Sequence, residues 1–150
     1  MTDVAFYQLQ KSHLEEALPQ LLEHTLKVSK RAVVWACTSD RLSTISSALW
    51  IQRGDCWLPH GMENDKFAED QPIWLTINGE NPNGATFIFL VEGVETEDIK
   101  NYERCFDLFD GNDADAVTAA RERWKSLKKA GHDLHYWQQN ERGKWEEKAK

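Results

Sequence analysis

Two stretches of the chain, Ala32-Val33-Val34-Trp35-Ala36-Cys37 and Thr86-Phe87-Ile88-Phe89-Leu90-Val91, are apolar almost without a break. A strand with one face in water alternates apolar and polar residues, so runs of this kind belong to strands covered on both faces, as in parallel sheets wrapped by helices. The segments between them carry the matching helical signals. Val4 to Leu9 reads as a first strand. Ser12 with Glu15 has the spacing of a capping box, and Leu14, Ala17, Leu18, Leu21, Leu22 and Leu26 keep a helical stripe, in which Pro19 either kinks the helix or marks its first turn. Thr38-Ser39-Asp40 caps a second helix carrying Leu42, Ile45 and Leu49, which runs to about Ile51 and ends at Gly54 and Asp55.

Trp57 to Gly61 suits a short strand and turn, and the polar stretch Met62 to Gln71 suits a mobile loop. Pro72 to Ile77 reads as a further strand, joined to the Thr86–Val91 strand by the turn-rich residues Asn78 to Gly84. A short helix within Glu95–Tyr102, a strand from Arg104 to Phe109 and a long helix from about Asp113 to Ala130, stopped by Gly131, complete the pattern. Alternation of this kind predicts an α/β fold with a largely parallel central sheet flanked by helices. One domain over residues 1–150 is expected, with the aromatic tail 132–150 (Tyr136, Trp137, Trp145) docked on it at least in part.

Several function classes are disfavoured at once. The longest apolar run, Ala85 to Val91, is far short of the roughly 18 to 20 residues of a membrane span, and no secretory leader is expected at Met1-Thr2-Asp3-Val4, so the expectation is a cytoplasmic protein. Cys37, Cys56 and Cys105 form no C-x-x-C pair and read as reduced thiols. No G-x-G-x-x-G follows the first strand and no G-x-x-x-x-G-K-[ST] occurs, so the usual phosphate cradles are missing. Neither a metal nor an organic cofactor is expected. His60 reads as ordinary packing, and His132 and His135 as helix-end residues facing the last carbonyls.

With 25 acidic against 18 basic residues, a net charge of -7 argues against sequence-independent attraction to phosphates. The charge is uneven. Glu92 to Asp115 holds nine acids against Lys100 and Arg104, whereas Arg121 to Lys129 holds five bases (Arg121, Arg123, Lys125, Lys128, Lys129) against Glu122. At about 100° per residue, Val117, Ala120, Trp124 and Leu127 share one arc of the last helix, with Arg121, Lys125 and Lys128 on the adjacent strip. A border of indole and cations suits an acidic peptide with an apolar end. The same residues also suit a solvated basic face, an α/β enzyme with another site, or a single-strand binder that stacks bases on Trp124.

Beyond this reading, the chain resembles the chi subunit family of bacterial DNA polymerase III. The resemblance rests on Ala5-Phe6-Tyr7, Ala48-Leu49-Trp50, Trp57-Leu58-Pro59-His60, and above all Arg121-Glu122-Arg123-Trp124-Lys125 with Ala130-Gly131, in the same order over nearly the whole chain. It implies a Rossmann-like fold without catalysis, which joins the clamp loader to single-stranded DNA-binding protein by gripping that protein's acidic C-terminal tail, ending in Pro-Phe. Nucleic acid would then be met only indirectly. The family's tail-binding residues match Arg121, Trp124 and Lys125, with Lys128 as a further cation and Phe109 as pocket wall; position 124 commonly holds Tyr in the family. A second interface, for a psi subunit or another clamp-loader subunit, corresponds to Trp50, Trp57, Pro59 and His60.

Overall fold

The computed structural model describes residues 2–50, 58–62 and 65–149. Among these residues eight strands form one sheet: β1 (Asp3–Leu9), β2 (Ala32–Trp35), β3 (His60–Met62), β4 (Ile73–Thr76), β5 (Phe87–Val91), β6 (Arg104–Asp110), β7 (Asp133–Gln139) and β8 (Trp145–Ala149). Their order is β3-β4-β2-β5-β6-β1-β7-β8, and every neighbouring pair is parallel except β7 with β8. Three α-helices among the described residues complete the mixed α/β fold: α1 (Leu14–Lys27), α2 (Ser39–Trp50) and α3 (Ala114–Lys129).

Side-chain alternation divides the core in two, as the apolar runs require. Ala5, Tyr7, Val34, Phe89, Phe106 and Leu108 meet α1 and α2 on one face. Val4, Phe6, Ile88, Leu90, Cys105 and Phe109 meet α3 on the other. The rings of Phe89 and Phe106 stack 4.3 Å apart across the β5–β6 pair. In the turn after β4, Gly79 has φ +80, and a Cβ there would lie 2.5 Å from the Trp35 ring, so the turn closes over the indole only with glycine.

Two local expectations are corrected and the alternative left open at Pro19 is narrowed. Helix α1 is capped at His13, whose N–H donates to Glu16 (3.1 Å), one residue later than the expected Ser12–Glu15 box. Ser12 is drawn away because its N–H and hydroxyl are both engaged by the Gln139 side chain. Pro19 lies inside α1 and is buried, so the helix tolerates one missing hydrogen bond in return for apolar contact. The expected loop from Met62 to Gln71 contains the end of β3 and a 3-10 turn at Ala68–Asp70. The expected end of α2 at Gly54 and Asp55 lies outside the described residues.

The C-terminal tail does more than dock: it supplies β7 and β8. Gln139 is the fastening. Its Oε1 accepts the N–H groups of Gln10, Lys11 and Ser12, and its Nε2 donates to Ser12 Oγ and the Gly143 carbonyl. Trp137 stacks on Tyr7 and Trp145 meets it edge-on at 5.0 Å, so the tail covers the outer flank of β1.

At the opposite edge, His60 of β3 is buried, with Nδ1–H donating to the Leu58 carbonyl and Nε2 accepting from Ser46 Oγ, both at 2.9 Å. Burial lowers its pKa from the ordinary value, against the weaker opposing pull of the Leu58 carbonyl and Asp65. The unfolded chain therefore takes up this proton first, and stability present above about pH 6.5 falls as pH drops through the folded-state value. His60→Gln should flatten the dependence of melting temperature on pH below about 6.5, measured by circular dichroism; an unchanged slope would exclude His60 as its source.

Candidate functional site

Helix α3 begins where Asp113 accepts the N–H groups of Asp115 and Ala116, and ends before Gly131, at φ +90. Only Ala120 and Arg123 of this helix are buried, while Val117, Trp124 and Leu127 are half-buried against the sheet. Arg123 corrects the five-base count. Its Nε and Nη2 donate to Oδ2 and Oδ1 of Asp107 on β6 at 2.7 and 2.8 Å, and the two side chains are only 6% and 4% exposed. Burial pushes the Asp107 carboxyl up, and the facing guanidinium opposes that shift. A sequence signal existed: Arg123 falls between Ala120 and Leu127 on the apolar stripe, and Asp107 alternates with Cys105 and Phe109.

Arg121, Lys125 and Lys128 remain at the surface. Among the described residues no ion pair engages Arg121 or Lys128, and Lys125 has only an exposed contact with Glu122 at 3.5 Å. Trp124 stands between strip and core, edge-on to Phe6 (5.4 Å) and Tyr136 (5.7 Å). The Tyr136 hydroxyl donates to Gln8 Oε1. Burial raises its pKa and the Arg121 charge lowers it in part, so Arg121 acts electrostatically on this side of the helix. A groove of about 470 Å³ runs beside the indole, bordered by Trp124, Lys128, His132, Leu134 and two carboxylates, Asp3 and Asp133.

Phe109 does not wall this groove. It is 1% exposed and lies under Phe6 and Tyr136, with ring centroids 6.5 and 6.1 Å away, because β6 is an inner strand. Tyr136, unremarked in the sequence as a site residue, takes the place beside Trp124. The histidines also differ from expectation. His132 Nδ1 accepts the Thr2 N–H, and His135 sits between Asp3 and Glu147, so neither side chain is turned to the helix carbonyls.

Trp50, Pro59 and His60 gather at the other end of the sheet, while Trp57 lies outside the described residues. Trp50, the last described residue of α2, has 60% of its surface exposed and its ring 4.5 Å from that of His60. Pro59 is half-buried, and His60 underlies the indole rather than facing solvent. Phe67, between β3 and β4, is a further large apolar residue, 67% exposed, that the sequence pattern did not single out.

The crevice where β1 and β6 send their following helices to opposite faces is the usual ligand position of open α/β sheets. Here Arg41 spans it with bonds to Glu15 (2.8 Å) and Glu92 (2.6 Å), and Asp110 adds a further carboxylate. Those acids make a poor phosphate cradle.

A family model for the DNA polymerase III chi subunit, HolC, matches residues 1–135. No curated protein matches the chain. The matched stretch contains β1 to β6, all three helices and the start of β7, and leaves residues 136–150 outside it. Because the match takes in nine-tenths of the chain, including the whole of α3, the protein belongs to the DNA polymerase III chi subunit family, noncatalytic accessory subunits of the replicase.

Proposed function

We propose that this chi-family protein links the clamp loader to single-stranded DNA-binding protein by holding the acidic C-terminal tail of the latter on α3. The observation that carries the reading is a pair of exposed cations, Arg121 and Lys128, with no ion-pair partner among the described residues, on the strip beside a half-exposed indole in a chain of net charge -7. Arg121 is the carboxylate clamp, since a guanidinium fork can meet a carboxylate with two parallel bonds. Lys125 and Lys128 face the tail's acidic side chains, and Trp124 offers an apolar plate to its terminal Phe. The exposed Lys125–Glu122 contact costs little to exchange for a peptide carboxylate.

Magnitudes suit a transient link. One buried Phe contributes about 1.5–3 kcal/mol and each charge-assisted hydrogen bond about 1.5–3 kcal/mol, which after association costs leaves roughly micromolar binding. Bare single strands are a weaker fit, because Asp3 and Asp133 border the groove and the surface as a whole is acidic. Trp50 and Pro59, with His60 supporting the indole from beneath, form in this reading a second surface for psi or another clamp-loader subunit, to which the sequence adds Trp57. Its support is the exposed Trp50 at the far edge of the sheet from β7.

Arg121→Glu should weaken binding of an acidic Pro-Phe tail peptide by about a hundredfold in calorimetry without moving the melting temperature, because it removes a clamp and adds repulsion at an exposed position. Wild-type affinity should fall with added salt and with deletion of the terminal Phe. Wild-type affinity retained by Arg121→Glu would move the tail site off this helix, and tight binding of a bare oligonucleotide would favour base stacking on Trp124. For the second surface, Trp50→Ala should abolish association with the clamp-loader partner and leave peptide binding intact. Loss of both together would withdraw the two-surface arrangement.

A further inference from the structure

Helix α3 is attached to the sheet by little apolar surface. Ala120 is its one fully buried apolar residue among those described, and Val117, Trp124 and Leu127 are each partly exposed. One flank of the helix is open: a groove of about 560 Å³ separates Leu127 and Ala130 from Leu90 and Ile99, with the Asp107–Arg123 pair on its floor. Small and partly exposed apolar groups set the position of a helix only loosely, because sliding or turning it exchanges one apolar contact for another. The guanidinium fork is different. Two bonds of 2.7 and 2.8 Å to one carboxylate accept a single placement of the helix along and about its axis.

We infer that the Asp107–Arg123 pair is a register lock, which positions α3 on the sheet so that Trp124 stands against Phe6 and Tyr136 while Arg121 and Lys128 beside it stay at the surface. A slip of one helical turn in either direction would set Ala120 or Leu127 opposite Asp107 and leave a buried carboxylate without a partner. A buried ion pair is weak evidence for stability, since desolvation offsets its attraction, but breaking one is strongly unfavourable, which makes it suited to excluding alternative arrangements. Arg123 is therefore a positioning residue; it does not touch the peptide. The inference rests on the tail-binding reading for its consequence and on the contact between α3 and β6 for its geometry.

The test replaces the pair by apolar residues of similar size, Asp107→Leu with Arg123→Met. The double variant should melt at or above the wild-type temperature, show the Trp124 indole N–H in more than one environment by NMR, with weakened contacts to Phe6 and Tyr136, and bind the tail peptide roughly tenfold more weakly. Assignment of that indole signal comes from its loss in Trp124→Phe. One indole environment with native contacts, or wild-type affinity, would overturn the lock. Should the double variant not fold, Arg123→Lys keeps the charge and loses the fork: broadening of the indole signal with weaker binding supports the lock, and wild-type behaviour in both overturns it. If the wild-type chain itself does not bind the peptide, the tail-binding reading fails, while the indole contacts still decide the register.

Discussion

A parallel sheet offers no face that can be left in water, and this constraint organises the molecule. The inner strands β2, β5, β6 and β1 are apolar on both sides, so α1 and α2 cannot cover them alone. The second face has one long helix, α3, on Val4, Phe6 and Phe109. The helix that closes the core is thereby the helix that carries the exposed cations. Cover and binding surface are two sides of the same element, and a residue change on it acts on both.

That double duty explains the composition of α3. A helix wholly devoted to burial would be rich in Leu and Ile; this one buries only Ala120 and Arg123 and turns Arg121, Lys125 and Lys128 outward. The aromatic ladder of Phe109, Phe6, Tyr136 and Trp124 then continues the core outward to the surface, each ring edge-on or stacked on the next. Trp124 is held edge-on by Phe6 and Tyr136 and is half-exposed, which suits a plate for an apolar group. The buried Asp107–Arg123 pair sits beside the ladder and fixes the helix where these rings require it.

The two edges of the sheet are treated differently. On the C-terminal side the chain continues past the matched family region through the rest of β7 into β8, with Gln139 tying the hairpin to the loop before α1. On the other side β3 is only three residues long, and the exposed Trp50 lies against its His60. Short, covered or charged edges limit unwanted strand pairing. In the proposed reading, the β3 edge is reserved for a subunit contact and α3 for the peptide, which keeps the two surfaces on separate elements.

Period and run length announced the fold: the unbroken apolar strands, the stripes of α1 and α2, and the glycine stop at Gly131 all follow from local chemistry, and the strip Arg121, Trp124, Lys125 and Lys128 follows from helical geometry alone. The tail strands were hidden because Asp133–Gln139 carries polar groups that become acceptable only once β1 and β8 flank it and Gln139 finds three backbone donors. Arg123 looked like one more surface base, since its partner Asp107 is sixteen residues away and meets it only when β6 lies under α3. Phe109 likewise seemed a pocket wall until β1 and β7 placed Phe6 and Tyr136 above it. Which residues lie on a helix face is a property of spacing, whereas which charges are spent inside and which remain for a partner depends on contacts between elements distant in the chain.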